Sequence, residues 1–381
     1  MKILAKKYIW NITPEVPRAG EGSAVLLQDG RIFLVYSRFL GGGADHSKAE
    51  LLGGILSLQD GSLSEQRILF AAPEALNQMS VSLERLQDSS LGMVFIRKLT
   101  PNTDQIFFSR STDEGQTWSE PVHCSQCCPQ FPYLVVNNDR LRQFSNGRLA
   151  IPVNLYAHGG HTPENLEGAS TGIIYSDDNG CTWQLSEHII IEEENIIPPP
   201  VISPDNPEAW DWCLKHQFKQ QEPGVEQLLD GSIYLYCRTV LGYMYHARSF
   251  DNGNTWTALK PCFDLPSPCG PQSIRRIPGQ KRLLCVYNDH HGQAFAGENW
   301  NWRTPLTLAA SDDDGHSWQT LGEVEDNRHN YCYTSMLFLD DKLLLTEYES
   351  ENKEDGSRRN LANLKMQLIT DLGCEAVFDP A

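Results

Sequence analysis

The residues that could do chemistry stand in one recurring place. Six apolar runs along the chain each stop at a polar side chain: Arg38, Arg97, Asn154, Arg238, Asn288 and Glu347. Arginines, amides and one acid gathered together can hold an anionic ligand, because a guanidinium keeps its charge and grips oxyanions through paired N–H groups. Such a gathering is needed here. The 381 residues carry a net charge of −18, so an anion binds only where arginines cluster. Random solvation of strand ends does not explain why a polar residue closes all six runs. Two further clusters, Asn137-Asn138-Asp139-Arg140 and Asn288-Asp289-His290-His291, and the pair His158 and His161, supply candidate ligand contacts. Capping of turns and plain solvation are the alternatives for them. The stretch His123-Cys124-Ser-Gln-Cys127-Cys128 offers thiols, but no second cysteine pair stands at zinc spacing. Adjacent histidines at 290 and 291 rarely face one ligand, so no metal and no cofactor is expected.

The elements that must position these residues repeat. Each apolar run follows a short turn: Gln28-Asp29-Gly30, Ser145-Asn146-Gly147, Leu229-Asp230-Gly231, Pro278-Gly279 and Asp340-Asp341, with a looser version from Gln87 to Gly92. Between the runs lies a second pattern, Ser-x-Asp-x-Gly-x-Thr/Ser-Trp. It begins at Ser111, Ser176, Ser249 and Ser311 and ends at Trp118, Trp183, Trp256 and Trp318, with a decayed copy at Ser57–Gly61. Aspartate and asparagine cap backbone amides, glycine takes positive φ, and threonine and tryptophan suit the strand that follows. Each copy reads as a hairpin clasp with a structural role. A strand, a turn, an apolar strand, another strand, a clasp and a last strand describe one blade of a β-propeller. The expected fold is therefore all-β, a six-bladed β-propeller of four-stranded antiparallel blades forming a single domain over residues 1–381. The apolar run becomes an inner strand, and the polar run ends converge at one mouth of the channel. Leu361–Ile369 is expected to close the ring with the N-terminal segment.

Composition agrees with that reading and excludes others. There are 29 glycines and 22 prolines with little helical periodicity, and 40% of residues are hydrophobic, enough for a sizeable core. The acidity argues against a nucleic-acid or membrane-surface partner. Eleven cysteines, an odd number without an export signal, point to reduced thiols. The start, Met1-Lys-Ile-Leu-Ala-Lys-Lys-Tyr, lacks a signal-peptide core, and no stretch reaches transmembrane length. A cytoplasmic location is the expectation. Two insertions, Ile196–Glu222 and Phe295–Arg303, carry tryptophans that could stack on sugars or pack over the rim.

The clasps resemble the Asp-boxes of sialidases and related six-bladed propellers, over nearly the whole chain. The resemblance implies roles. Glu222, in Gln221-Glu222-Pro-Gly, stands eight residues before Asp230, and Arg238 eight after. This is similar to the family's glutamate and the arginine that follows it. Arg303, before the strand into Ser311, looks like the family's next arginine. Tyr333, in Cys332-Tyr333-Thr334-Ser335, resembles the nucleophilic tyrosine. Arg18 and Arg38 stand for the two N-terminal arginines, although Pro17-Arg18-Ala-Gly-Glu21 lacks the family's Ile-Pro and Glu21 could enter the site instead. Asp45, in the glycine-rich loop after Arg38, fits the acid/base aspartate. Arg97, Asn138, Asp139, Asp289 and His290 would complete the pocket. The implied activity is a retaining exo-sialidase acting on a sialylated glycan, with Tyr333 as nucleophile, Glu222 as its base and Asp45 as acid/base. A propeller hydrolase or lyase for another acidic sugar, using Glu21, Asp139 or His290, is the alternative, and a non-catalytic carbohydrate-binding propeller is a third.

Overall fold

The clasps close as local hydrogen bonding dictates. Ser111 Oγ donates to Asp113 Oδ1 at 2.8 Å and accepts from the Gly115 amide at 2.8 Å. Asp113 accepts from the Thr117 amide at 2.8 Å and from its hydroxyl at 2.6 Å. The copy at Ser176 repeats this, and the Thr182 hydroxyl and amide hold Asp178 down at a pKa of about 2. The residue before each glycine also has positive φ: Glu114 at 59°, Asn179 at 58°, Asn252 at 60° and Asp314 at 57°. Asparagine and aspartate tolerate that region better than other side chains. The glycines do a second job. A Cβ on Gly180 would lie 2.2 Å from the Phe108 ring, and one on Gly253 would lie 2.5 Å from Ile173. Each clasp thus presses on the sheet before its own, and a side chain there would separate them.

The structure is a computed structural model that describes residues 1–157, 169–202, 208–215, 219–290, 295–296, 302–351 and 361–373. Strands Arg18–Leu26, Ile32–Phe39, Ala49–Leu56 and Leu63–Leu69 pair antiparallel in that order. A single parallel bridge, Ala49 to Asn77, ties them to Asn77–Arg85, Leu91–Thr100, Thr103–Ser111 and Val122–His123. Next, Tyr133–Val135 and Arg142–Gln143 share the partner Leu149–Tyr156, which leads to Ser170–Ser176 and Gln184–Leu185. Two four-stranded sheets follow, Gln220–Gln227 to Lys260–Pro266 and Ser273–Arg276 to Gln319–Glu325. The last sheet sets Asn330–Leu339, Lys342–Ser350 and Asn363–Thr370 beside Lys2–Trp10 from the other end of the chain. The C-terminal stretch therefore closes the ring with the N-terminal segment, and the fold is an all-β propeller.

The first strands of successive sheets touch one another, Arg18–Leu26 meeting both Asn77–Arg85 and Asn330–Leu339. These first strands face the axis. The apolar runs are the second strands, buried on both faces, as in Ile32–Phe39 and Leu149–Tyr156. This moves the expected inner position outward by one strand. Apolar clusters fill the gaps between sheets; one joins Val94, Ile96, Ile106 and Phe108 to Leu149, Ile151, Val153 and Ile174. The two insertions meet, because Val201–Ile202 pairs in parallel with Phe295–Ala296. Within the first of them the short helix Ala209–Lys215 packs Trp210 on the core, whereas Trp212 and Trp302 are exposed. No helix among the described residues is long and apolar enough to cross a membrane. His158, His161, His291 and Trp300 lie outside the described residues.

Candidate active site

The axial strands carry a recurring irregularity that aims side chains inward. Register shifts fall between Gly20 and Ser23, Met79 and Ser82, Gln221 and Gly224, and Cys332 and Ser335. Inside each shift one residue has positive φ: Glu21 at 50°, Ser80 at 58°, Glu222 at 46° and Tyr333 at 55°. Such a bulge inserts an extra residue and turns its side chain. It costs about 1–2 kcal/mol per non-glycine residue, a strain that persists only where the surroundings hold it. At Glu222 they do, since the Glu222 amide donates to Asn154 Oδ1. Asn154 Nδ2 in turn donates to Thr171 Oγ1 at 3.1 Å and to the Gln220 carbonyl at 3.2 Å. Two residues past each turned side chain stands Ser23, Ser82, Gly224 or Ser335. A Cβ on Gly224 would lie 2.1 Å from the Tyr236 ring, so only glycine lets the strand sit there.

Glu222 and Tyr333 meet at the centre. The Tyr333 hydroxyl donates to Glu222 Oε1 at 3.3 Å, and Arg238 Nη2 donates to the same oxygen at 2.9 Å. Asn137 Nδ2 reaches Glu222 Oε2 at 3.3 Å. The Arg303 guanidinium lies 5.3 Å from the Tyr333 ring centroid and donates to Cys332 Sγ at 3.2 Å. Burial opposes the charge on Arg238, but Glu222, with Cys269 and Tyr333 adding to it, keeps its pKa above the ordinary value. Burial likewise opposes Arg303, where Cys332, Tyr333 and Glu222 together prevail. The Nε atoms of both arginines are buried and have no hydrogen-bond partner among the described residues. These are donors awaiting an acceptor.

Arg18 completes the cluster from the first sheet. Its Nε donates to the Tyr348 hydroxyl, Nη2 to Glu21, and Nη1 to the Gly43 carbonyl at 2.9 Å and to Asp45 Oδ1. Tyr348 can approach because residue 20 is glycine; a Cβ there would lie 2.0 Å from its ring. Tyr348 also stands at right angles to Tyr333, with ring centroids 5.1 Å apart. Burial, with Glu21 and Tyr333 adding to it, raises the Tyr348 pKa well above the ordinary range. Asp45 itself is exposed, and Asn77 Nδ2 holds its loop through the Asp45 carbonyl at 2.6 Å. Opposite stands Tyr133, whose hydroxyl accepts from Lys98 Nζ at 3.0 Å. Burial and the charges of Asp104, Asp45 and Glu222 push the Tyr133 pKa upward.

The structure brings together Arg18, Asp45, Glu222, Arg238, Arg303 and Tyr333. The other candidates make different contacts. Arg38 pairs with Glu50, and Arg97 lies 4.6 Å over the Phe107 ring. Asn138 ties axial strands by donating to the Gly22 and Tyr333 carbonyls at 2.7 and 3.1 Å. Asp139 is bound by Arg275 at 2.7 Å and by the Met336 amide at 3.1 Å, on the channel's other side. Glu347 is fully buried against Gln367. Asp289 and His290 follow Asn288, which donates to the Tyr331 carbonyl at 3.0 Å. Sequence reasoning missed Ser80, Tyr348, Cys332 and the Lys98–Tyr133 wall, whereas Asn137 belonged to a cluster it had named. The small residue two places past each turned side chain was the signal available for Ser80.

Residues 64–345 match the family model described as a BNR repeat-like domain. A sialidase of Bacteroides fragilis is 23% identical over 259 residues, covering 65% of this chain and 40% of that protein. An anhydrosialidase of Macrobdella decora is 21% identical over 296 residues, covering 72% of this chain and 34% of that protein. The chain therefore spans well under half the length of these relatives. An intramolecular trans-sialidase from Ruminococcus gnavus superposes with a TM-score of 0.68 at 13% identity, covering 95% of this chain and 97% of that one. At that identity the likeness speaks for the fold.

Proposed function

The chain belongs to the BNR repeat-like family, and from that premise we propose that it is a six-bladed propeller working as a retaining exo-sialidase. One observation carries the proposal: the Tyr333 hydroxyl stands 3.3 Å from the Glu222 carboxylate with three buried arginines around the pair. A sialic acid bears a carboxylate on its anomeric carbon. Arg18, Arg238 and Arg303 take that carboxylate through charge-assisted hydrogen bonds. A carboxylate nucleophile would be repelled by it, whereas a tyrosine approaches neutral. The Tyr333 oxygen attacks the anomeric carbon while its proton passes to Glu222. The bond to the leaving oxygen breaks as Asp45 protonates that oxygen. Water then attacks the glycosyl-tyrosine, giving its proton to Asp45, and Tyr333 leaves, reclaiming its proton from Glu222. Two displacements at one carbon retain its configuration.

Release of fluorophore from an aryl sialoside tests the activity, beside Tyr333→Phe. Absence of both release and binding of a 2,3-dehydro-sialic acid would remove the proposal. Full activity in Tyr333→Phe would remove the mechanism alone. A second reading, cleavage of another acidic sugar by the same arginines, is favoured by the crowding of Arg18, which Glu21, Asp45 and Tyr348 already engage.

A further inference from the structure

The arginines around Tyr333 are partnered unequally. Arg18 has two carboxylates, Glu21 and Asp45, and Arg238 has Glu222. Arg303 is only 3% exposed, yet no carboxylate among the described residues lies within ion-pair distance of it. Its guanidinium donates instead to the thiol of Cys332, a fully buried residue next to Tyr333. Buried charges ordinarily find a counter-charge, since desolvation is otherwise uncompensated. Arg303 has none in contact among the described residues, and Glu222 acts on it from beyond ion-pair distance.

The holding is done by a single short segment. The Arg303 amide donates to Asn330 Oδ1 at 2.8 Å, its carbonyl accepts from the Tyr331 amide at 2.8 Å, and its Nη1 donates to Cys332 Sγ at 3.2 Å. Three consecutive residues therefore fix Arg303, and the fourth is Tyr333. Arginine and tyrosine are registered to each other through the same stretch of strand.

We propose that Cys332 is a positioning residue, whose thiol orients Arg303 toward the ligand carboxylate without setting a carboxylate of the protein against it. The proposal rests on the sialidase reading. A carboxylate at position 332 would orient Arg303 equally well, but it would neutralise the cation and draw the fork away from the ligand. An alanine would leave the charge but free the fork to rotate. Sulfur is a weak acceptor, so it sets direction without competing for the anion. An interaction made alike with substrate and transition state shows in KM rather than kcat.

The test measures binding of 2,3-dehydro-sialic acid and of its methyl ester by calorimetry, to the wild type and to Cys332→Ala, Cys332→Ser and Cys332→Asp. Thermal melts check that each variant is folded. Cys332→Ala should weaken the acid about tenfold and leave the ester within about twofold. Cys332→Ser should recover most of the loss. Cys332→Asp should weaken the acid further and erase the preference for acid over ester. With an aryl sialoside, KM should rise in Cys332→Ala while kcat holds. Equal weakening of acid and ester would mark Cys332 as mere packing and overturn the proposal, as would unaltered binding in Cys332→Ala and Cys332→Asp. A wild type that binds neither compound brings down the sialidase reading, and this proposal with it.

Discussion

Arg238 and Arg303 should part company on stability while agreeing on activity. In Arg303→Met a buried cation without a carboxylate partner gives way to an apolar chain of similar length. The variant loses one hydrogen bond to sulfur and sheds the desolvation of a charge. Replacing buried charge by apolar volume is neutral or stabilising, here on the order of 1 kcal/mol. In Arg238→Met the opposite happens. Glu222, buried and bound at 2.9 Å by Arg238, loses its partner. Breaking a buried pair in this way costs about 3–5 kcal/mol. Each variant also forfeits charge-assisted bonds to the ligand carboxylate, worth about 2–4 kcal/mol. That corresponds to roughly a 30- to 1000-fold fall in kcat/KM. Aryl sialoside kinetics and thermal unfolding of both proteins make the comparison. If Arg303→Met lowers the melting midpoint as far as Arg238→Met does, Arg303 is a structural cation and the reasoning is refuted.

Glu222→Gln removes the base that receives the Tyr333 proton, and kcat should fall by about 10²- to 10⁴-fold; an unchanged single-turnover rate would exclude that role. Asp45→Asn should cost far more with natural sialosides than with aryl sialosides whose leaving group needs no proton, and an equal loss on both would count against Asp45 as the acid. Burial, aided by Glu325, raises Glu347 from 4.5 to about 8. A carboxyl with a raised folded pKa binds its proton more tightly folded than unfolded. The stability it lends is whole below pH 4.5 and disappears as pH rises through 8. Glu347→Gln should flatten that decline, seen as a denaturation midpoint that no longer drops between pH 5 and 8. Asp178→Ala loses the clasp bonds to Thr182 and, like the loss of a helix cap, should cost about 1 kcal/mol. Its kcat/KM per folded molecule should match the wild type, because the clasp lies away from Tyr333.

The turns and clasps were legible because short-range chemistry dictates them. Asp113 binds Thr117 four residues on, and Gly115 needs positive φ whatever surrounds it. With the sheets in frame, the resemblance to sialidases pointed to Glu222, Arg238, Arg303 and Tyr333. What stayed hidden depends on contacts across the ring. Arg18 meets Tyr348 over 330 residues of chain, and no local pattern announces it. Polar strand ends were read as facing the mouth, yet strand position does not fix which way a side chain points. Arg38 turns to Glu50, and Glu347 turns into the core. The bulges escaped notice because glutamate, serine and tyrosine have no preference for positive φ. Tertiary contacts impose it on them.

The joining of Lys2–Trp10 to Asn363–Thr370 has a consequence for when the molecule can first act. Arg18 takes its hydroxyl partner from Tyr348, and the Ala19 amide donates to the Ala362 carbonyl at 3.0 Å. The pocket thus spans the seam where the ring shuts. A nascent chain holds Arg18 and Glu21 long before the residues beyond 360 give them their surroundings. Partial chains, however well their early sheets have folded, carry an unfinished arginine cluster. A fragment that lacks the last sheet leaves Arg18 without its Tyr348 partner.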